Sequence, residues 1–222
     1  MTTSPGFART QTPFDTPAAK CGGATDIMSQ MGVRIAFEKD EEIYGQDEDA
    51  DLIYRVVSGG VRTSRLMVDG RRQVGGFYYP DELFGVESGE RHRFSAEALS
   101  NCVILVLKSS ALRSAAGDGA FDNLVSAARN RELDRTQDHV LLLGRKMACE
   151  RVASFLMELA DRRRTEAVTL PMGRQDMADY LGLTIETVSR MLTQLQAALV
   201  VEFAGSRQFR ISNRCALASL AE

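Results

Sequence analysis

The chain has 222 residues, 44% of them hydrophobic, which is enough for one large or two small domains with their own cores. Its formal net charge of −3 excludes a uniformly basic nucleic-acid coat protein. The sequence has no apolar run long enough to cross a membrane and no apolar signal core in its first twenty residues, so we expect a cytoplasmic protein that does not contact membranes.

Charge is distributed unevenly along the chain. Residues from Arg145 onward include 11 Lys or Arg against 9 Asp or Glu, whereas the preceding residues include 16 against 21. This direction suits a C-terminal half that approaches phosphates and an N-terminal half that does not.

The N-terminal half predicts a tail followed by a small β-roll. Residues 1–22 are rich in Thr, Pro, Gly and Ala, which is typical of a mobile tail. Strand-like runs at 52–57, 61–68, 73–79, 93–98 and 102–107 follow within a domain that we place at residues 23–118. Asp69-Gly70 lies between two of these runs and is a strong hairpin signal. Many short strands joined by turns indicate a barrel or roll.

The pattern changes to helix over residues 119–148. Apolar residues recur there at intervals near three and four, which indicates one apolar stripe on a long helix. We expect this stripe to pair with a second copy of the chain. Packing on the chain's own β-roll is the alternative, and both can contribute. The residues concerned are Phe121, Leu124, Val125, Ala128, Leu133, Val140 and Leu143.

Residues 149–222 predict a winged helix-turn-helix domain. Within residues 174–195, two helical patterns flank Gly182, whose positive φ can end the first helix. Thr184 is placed to cap the second helix, with Thr187 three residues later. Two short strands near 199–203 and 208–211, joined by a turn, form the expected wing. The fold class is therefore α+β, with a β-roll, a long dimerisation helix and a winged helix-turn-helix.

The second of these helices carries side chains that can read DNA. Arg190 can donate two hydrogen bonds to guanine, Glu186 can accept from a base amino group, and Ser189 can contact a thymine methyl group or donate to an acceptor. The alternatives are a helix-dipole role for Glu186 and a surface ion pair for Arg190. Contacts to the DNA backbone are expected from a further set, each of which can instead be solvated surface: Arg174, Gln175, Thr184, Thr187, Ser206 and Arg207.

With this layout, the sequence resembles the superfamily of the cyclic-AMP receptor protein and the fumarate–nitrate regulator (CRP/FNR). Residues 181–190, LGLTIETVSR, resemble the signature of the fumarate–nitrate branch, and residues 84–98, FGVESGERHRFSAEA, resemble the FixK group. The resemblance implies a homodimeric transcription factor that contacts RNA polymerase. It also implies that Glu186, Ser189 and Arg190 read palindromes with TTGAT-type half-sites.

The resemblance also frames the question of an effector. Nucleotide-binding relatives have a Gly-Glu pair and an Arg-Ser pair, where this chain has Gly85-Val86 and Phe94-Ser95. Neither Val nor Phe can hydrogen-bond a ribose or neutralise a phosphate, so we expect a scaffold β-roll whose pocket is filled by side chains.

Metal cofactors are not expected either. A [4Fe–4S] cluster needs four thiolates, but the N-terminus supplies only Cys21, and Cys102 lies on a predicted strand. His92 and His139 are the only imidazoles, and a lone His is more often a surface or core residue than a metal ligand. A haem- or nitric-oxide-gated sensor is the alternative to the expected cofactor-free regulator.

The remaining cysteines are the candidate redox sites. Cys149 lies near Arg151 and Cys215 near Arg214, but a reactive thiol also needs a low pKa and exposure. An enzyme is not expected, because the sequence has no phosphate loop, nucleophile elbow or metal-ligand spacing.

Overall fold

A computed structural model describes residues 23–163 and 167–221 of the chain. The predicted tail at residues 1–22, with Cys21, lies outside these described residues. The elements in chain order are α1 (Ala24–Met31), β1 (Val33–Phe37), β2 (Glu42–Tyr44), β3 (Leu52–Ser58), β4 (Val61–Leu66), β5 (Arg72–Tyr78), β6 (Leu83–Phe84), β7 (Ser95–Ala98), β8 (Cys102–Lys108), α2 (Ser109–Ala116), α3 (Asp118–Arg145), α4 (Ala148–Arg163), β9 (Ala167–Thr169), α5 (Arg174–Leu181), α6 (Ile185–Ala197), β10 (Val201–Ala204), β11 (Gln208–Ile211) and α7 (Arg214–Ala221).

The N-terminal domain is a roll of two antiparallel four-stranded sheets. Their strand orders are β1-β8-β3-β6 and β2-β7-β4-β5. Alternate side chains of both sheets face inward and form an aromatic and aliphatic core that includes Tyr54, Tyr78 and Ile104. The predicted hairpin is confirmed: β4 pairs with β5, and Gly70 supplies a φ of 82° in the turn between them.

The roll is followed by the long helix α3, whose 28 residues extend about 42 Å. This helix ends at Arg145, because Lys146 adopts an extended conformation with φ −92° and ψ 142°. A new helix, α4, then begins at Ala148 and enters the C-terminal domain. No helix among the described residues is long and apolar enough to cross a membrane.

The C-terminal domain has the predicted winged helix-turn-helix layout. Helices α4, α5, α6 and α7 surround a core that includes the fully buried Leu156, Met177 and Phe209. The wing strands β10 and β11 form a sheet with β9 in the order β10-β11-β9. Helix α7 was not predicted, and its Leu217 is completely buried in the same core.

The two domains share an apolar contact. Val74, Phe77 and Leu99 of the β-roll belong to the same buried cluster as the winged-helix core. The Phe77 ring lies 5.2 Å from that of Tyr180 in α5 and 6.1 Å from that of Phe155 in α4, measured between centroids. Strand β5 therefore packs directly on the winged-helix domain.

Candidate nucleic-acid interface

The turn between α5 and α6 has the geometry that the sequence predicts. Gly182 adopts φ 62° and ψ 39°, the left-handed conformation that ends α5, and its N–H donates to the Ala178 carbonyl. Thr184 is the N-cap of α6, and its Oγ1 accepts a hydrogen bond from the Thr187 N–H at 3.3 Å. These two caps fix where α6 begins and hence which of its residues face outward.

One face of α6 is fixed to the core. Val188 is fully buried, and Leu192 and Leu195 are 3% and 2% exposed. Met177 and Ala178 of α5 are also fully buried, and the small Ala178 side chain lets the two helices approach closely. Because 3.6 residues complete a turn, burying this stripe leaves the opposite side of α6 in solvent.

The exposed side of α6 holds the three predicted base-reading residues together. Glu186 and Arg190 are exposed and Ser189 is partly buried. Arg190 Nη2 donates to Thr187 Oγ1 at 3.3 Å, a contact that a base edge can replace without disturbing the core. A hydrogen bond from Thr184 and the backbone N–H of Glu186 hold the pKa of the Glu186 carboxyl below its usual value. The acid is therefore an ionised acceptor at neutral pH.

Two features of this surface were not predicted. Ile185, the first residue of α6, is 38% exposed beside Glu186 and offers an apolar contact for a thymine methyl group. Its signal in the sequence was an apolar residue directly after the N-cap. Arg174 Nη1 also donates to Ser189 Oγ at 3.2 Å, so the start of α5 contacts the middle of α6.

The predicted backbone-contacting residues lie at element ends. Arg174 and Gln175 begin α5, where free N–H groups can bind a phosphate, and Gln175 Nε2 donates to Asp179 Oδ1 at 2.7 Å. Ser206 and Arg207 are exposed in the turn between β10 and β11. Their contacts with DNA remain a prediction.

The apolar stripe of α3 divides into two parts. Phe121 and Ala128 are only 6% and 8% exposed. Phe121 belongs to a buried cluster with α1, α2 and the β-roll. Leu124 and Val125 pack against the same cluster. This half of the helix packs on its own β-roll, which the sequence allowed as the alternative, and its share in a dimer interface stays a prediction.

The C-terminal half of α3 is the part that stays open. Leu133 and Val140 are 55% and 63% exposed, and Leu143 is partly buried. Two further apolar residues, which were not predicted, are exposed nearby: Leu141 of α3 is 55% exposed, and Met147, just beyond the end of α3, is 71% exposed. This half is where a second copy of the chain can be accommodated.

The described cysteines are not arranged as activated thiols. Burial, with the nearby Glu150 carboxylate, raises the pKa of Cys149 and keeps it protonated. Arg151 donates instead to the backbone carbonyls of Lys146, Leu181 and Leu143, each at 2.9 Å. Cys215 is exposed. The neighbouring Arg214 is paired with Asp161.

A cavity of about 420 Å³ lies between the β-roll and α3. It is not filled by side chains, contrary to the prediction. Its lining includes the carboxylates of Glu87 and Glu132, and also Arg93, whose Nε lies 3.2 Å from Glu87 Oε2. Tyr78 donates to Glu132 at 2.9 Å, and Phe94 lines the wall. A cyclic nucleotide carries an anionic phosphate, so these residues do not fit it.

The two histidines are packed within the protein. His92 is 1% exposed and its ring stacks on Tyr44 with centroids 3.7 Å apart. His139 Nε2 lies 2.7 Å from the Tyr180 carbonyl oxygen, and the two rings stack at 4.1 Å. Within residues 23–163 and 167–221, no group of three or more His, Cys, Asp or Glu is arranged to hold a metal ion. A haem iron would have to break these packed contacts to reach either ring.

Comparisons with known proteins agree with this architecture. Residues 34–117 match the cyclic nucleotide-binding domain family, and residues 150–220 match the Crp-like helix-turn-helix domain family. The nitrogen fixation regulation protein FixK of Azorhizobium caulinodans is 47% identical over 201 residues, which cover 87% of this chain and 81% of that protein. FixK of Rhizobium meliloti is 39% identical over 202 residues, covering 87% of this chain and 89% of that protein.

The fold is also similar to that of a solved structure. FixK2 from Bradyrhizobium japonicum has a TM-score of 0.83 and 46% sequence identity, over 86% of this chain and 98% of that one. Both FixK proteins are named as regulators and not as enzymes, in agreement with the expectation for this chain. The chain therefore belongs to the CRP/FNR family of transcription regulators, in its FixK-like branch.

Proposed function

We propose that the protein is a homodimeric transcription activator that reads palindromic operators with TTGAT-type half-sites and needs no small-molecule effector. The observation that carries the proposal is the exposed face of α6. It presents an ionised acid, a hydroxyl and a guanidinium on a helix whose other face is buried. These groups can accept from cytosine or adenine, contact thymine and donate to guanine.

The two-fold symmetry of the proposed dimer explains why its operator is a palindrome. Leu133, Val140 and Leu141 give the open half of α3 an exposed apolar surface that a second copy can cover. A two-fold dimer places two recognition helices about 34–36 Å apart, which matches successive major grooves on one side of the duplex. Each recognition helix then reads one half-site, and the two half-sites are inverted repeats.

Effector independence is supported by the cavity in the β-roll. The carboxylates of Glu87 and Glu132 outnumber the guanidinium of Arg93, which pairs with Glu87, and this balance disfavours an anionic ligand. Val86 and Phe94 also line the cavity, where the resemblance implies Glu and Arg in nucleotide-binding relatives. Regulation then depends on how much protein the cell makes. The protein acts on the chromosome in the cytoplasm and recruits RNA polymerase.

The target genes are proposed from the relatives. The similar proteins of Azorhizobium caulinodans and Rhizobium meliloti are named for the regulation of nitrogen fixation. We infer that this chain regulates genes of the same kind, which serve nitrogen fixation or respiration at low oxygen.

The test is selection of bound sequences from random duplex DNA by the purified full chain under reducing conditions, with and without added cyclic AMP. The expected result is enrichment of inverted TTGAT-type repeats that is the same in both arms. No enrichment of any inverted repeat contradicts the function. Enrichment that needs cyclic AMP, or a Soret band in the purified protein, contradicts effector independence and favours a ligand- or haem-gated sensor.

A further inference from the structure

Five charged residues join the β-roll to the helix-turn-helix. We call Arg62, Arg72, Glu97, Asp176 and Asp179 the interdomain charge cluster. Arg72 of β5 is bonded to both α5 carboxylates: its Nη2 lies 2.6 Å from Asp176 Oδ1 and 2.7 Å from Asp179 Oδ2. Its Nε also donates to Asp179 Oδ2 at 2.8 Å. One arginine thus joins two successive turns of the helix.

The cluster extends into the β-roll through Arg62 of β4. Arg62 Nη1 lies 3.3 Å from Asp176, and Arg62 Nη2 lies 2.5 Å from Glu97 of the neighbouring strand β7. Arg62 and Asp176 are only 7% and 8% exposed. Such buried, networked pairs are screened little by salt, unlike ion pairs on the surface. The cluster holds three carboxylates against two guanidinium groups, and Asp40 also pairs with Arg62 at 3.1 Å. Removing one cation increases this surplus of carboxylates, which disfavours the observed contact between the domains.

The position of the cluster gives it a consequence for DNA reading. Asp176 and Asp179 lie on α5, which begins with the predicted phosphate-contacting Arg174 and packs against the recognition helix α6. Strand β5 belongs to the roll that holds the first half of α3. Arg72 therefore connects the base-reading helix to the body of the protomer.

We infer that Arg72 is a positioning residue that fixes the orientation of α5 and α6 on the β-roll and so sets the spacing between half-sites that the dimer accepts. This inference rests on the proposed function, because spacing has meaning only for a dimer on a palindrome. It concerns the distance between half-sites and leaves the base preference within each one to α6.

The physical reason is the helical geometry of DNA. Adding one base pair between two half-sites moves them apart by about 3.4 Å and rotates one against the other by about 35°. Two rigidly held recognition helices cannot adjust to the altered spacing without losing base contacts. Recognition helices that are not fixed to the β-roll can reorient. They therefore lose less affinity when the spacing is altered, although they bind the correct spacing more weakly.

The experiment measures the affinity of the full-length dimer for operators whose central spacer is lengthened or shortened by one base pair. The parent chain is expected to lose at least about tenfold on either change. Arg72→Ala is expected to reduce that ratio to about threefold or less while leaving the preference among half-site sequences unchanged. Arg71→Ala is the matched control, because that neighbouring side chain is 83% exposed and pairs only locally with Asp69. It should keep the parent profile.

Rescue and refutation are both measurable. Arg72→Lys keeps the charge and should restore a large part of the spacing penalty, whereas Arg72→Gln should not. The glutamine variant also replaces Arg72→Ala if the alanine variant folds poorly. An unchanged spacing profile in folded Arg72→Ala or Arg72→Gln overturns the inference, as does an equal change in Arg71→Ala. If the parent chain binds no inverted repeat, the proposed function itself fails, and this result is distinct from a parent that binds with an Arg72-independent profile.

Discussion

Arg190→Ala is the most direct test of how the protein reads DNA. Arg190 is exposed on α6, and its hydrogen bond goes to Thr187 on the same helix. Truncating it removes the guanidinium from the reading face without opening a cavity, so the stability of the fold should change little. Loss of DNA binding would then report the base contact itself.

The expected magnitude follows from one contact in each of two recognition helices. A bidentate arginine–guanine pair contributes about 1–3 kcal/mol of discrimination, so the dimer should lose about 2–6 kcal/mol on its operator. At about 1.4 kcal/mol per tenfold, this is a loss of roughly 30-fold to 10⁴-fold in affinity for the specific site. Affinity for scrambled DNA should fall much less, because that binding depends on phosphates.

The assay is a fluorescence anisotropy titration of the operator and a scrambled duplex at the same salt concentration. Arg210→Ala is the charge-matched control, because Arg210 lies on wing strand β11 and pairs with Glu202 at 2.6 Å. It should preserve the ratio of specific to non-specific affinity. If Arg190→Ala weakens both duplexes equally, then Arg190 contacts a phosphate and the base-reading role is wrong.

Three further predictions concern the interface, the cap and the thiols. Val140 is 63% exposed on α3, so Val140→Glu should place a charge in the proposed interface and give a folded monomer in sedimentation experiments. Val68→Glu is the control, because Val68 lies fully exposed at the hairpin tip, and this variant should remain a dimer. Thr184→Ala removes the N-cap of α6 and should lower the free energy of unfolding by about 1 kcal/mol in urea titrations, and an unchanged midpoint would contradict the cap. Alkylation with iodoacetamide at neutral pH should modify the exposed Cys215 before Cys149, whose pKa is raised by burial, and faster labelling of Cys149 would revive it as a redox site.

The local elements of the fold could be predicted because their signals are short-range. The hairpin depends on Asp69-Gly70, and the turn of the helix-turn-helix depends on Gly182 and Thr184, all within a few residues of the structure they define. Helix α7 has one short-range signal, the N-cap Asn213, whose Oδ1 accepts from the Ala216 N–H at 3.0 Å. Its first turn has no acidic residue, and Leu217 is buried in the core that α4 shares. Whether a short helix such as α7 forms depends mainly on its tertiary packing.

The contacts that sequence reasoning missed are long-range. Arg62 and Asp176 are 114 residues apart and read separately as ordinary surface charges. Phe121 belongs to the stripe predicted to face a second copy, but only the folded chain shows that the β-roll covers it first. Periodicity identifies an apolar face, whereas the partner of that face depends on which surface of the chain reaches it.

Two contacts connect the β-roll to the helix-turn-helix, and they bear on how a ligand could act. An effector can shift the helix-turn-helix only through differential affinity for two arrangements of the domains. In this chain the Phe77–Tyr180 contact and the interdomain charge cluster both favour a single arrangement, and that arrangement leaves Glu186 and Arg190 exposed. The accessible reading surface supports the proposal that no ligand in the cavity is needed to uncover it. Under the proposed effector independence, control of the protein depends on its concentration, which sets how many operators a dimer fills.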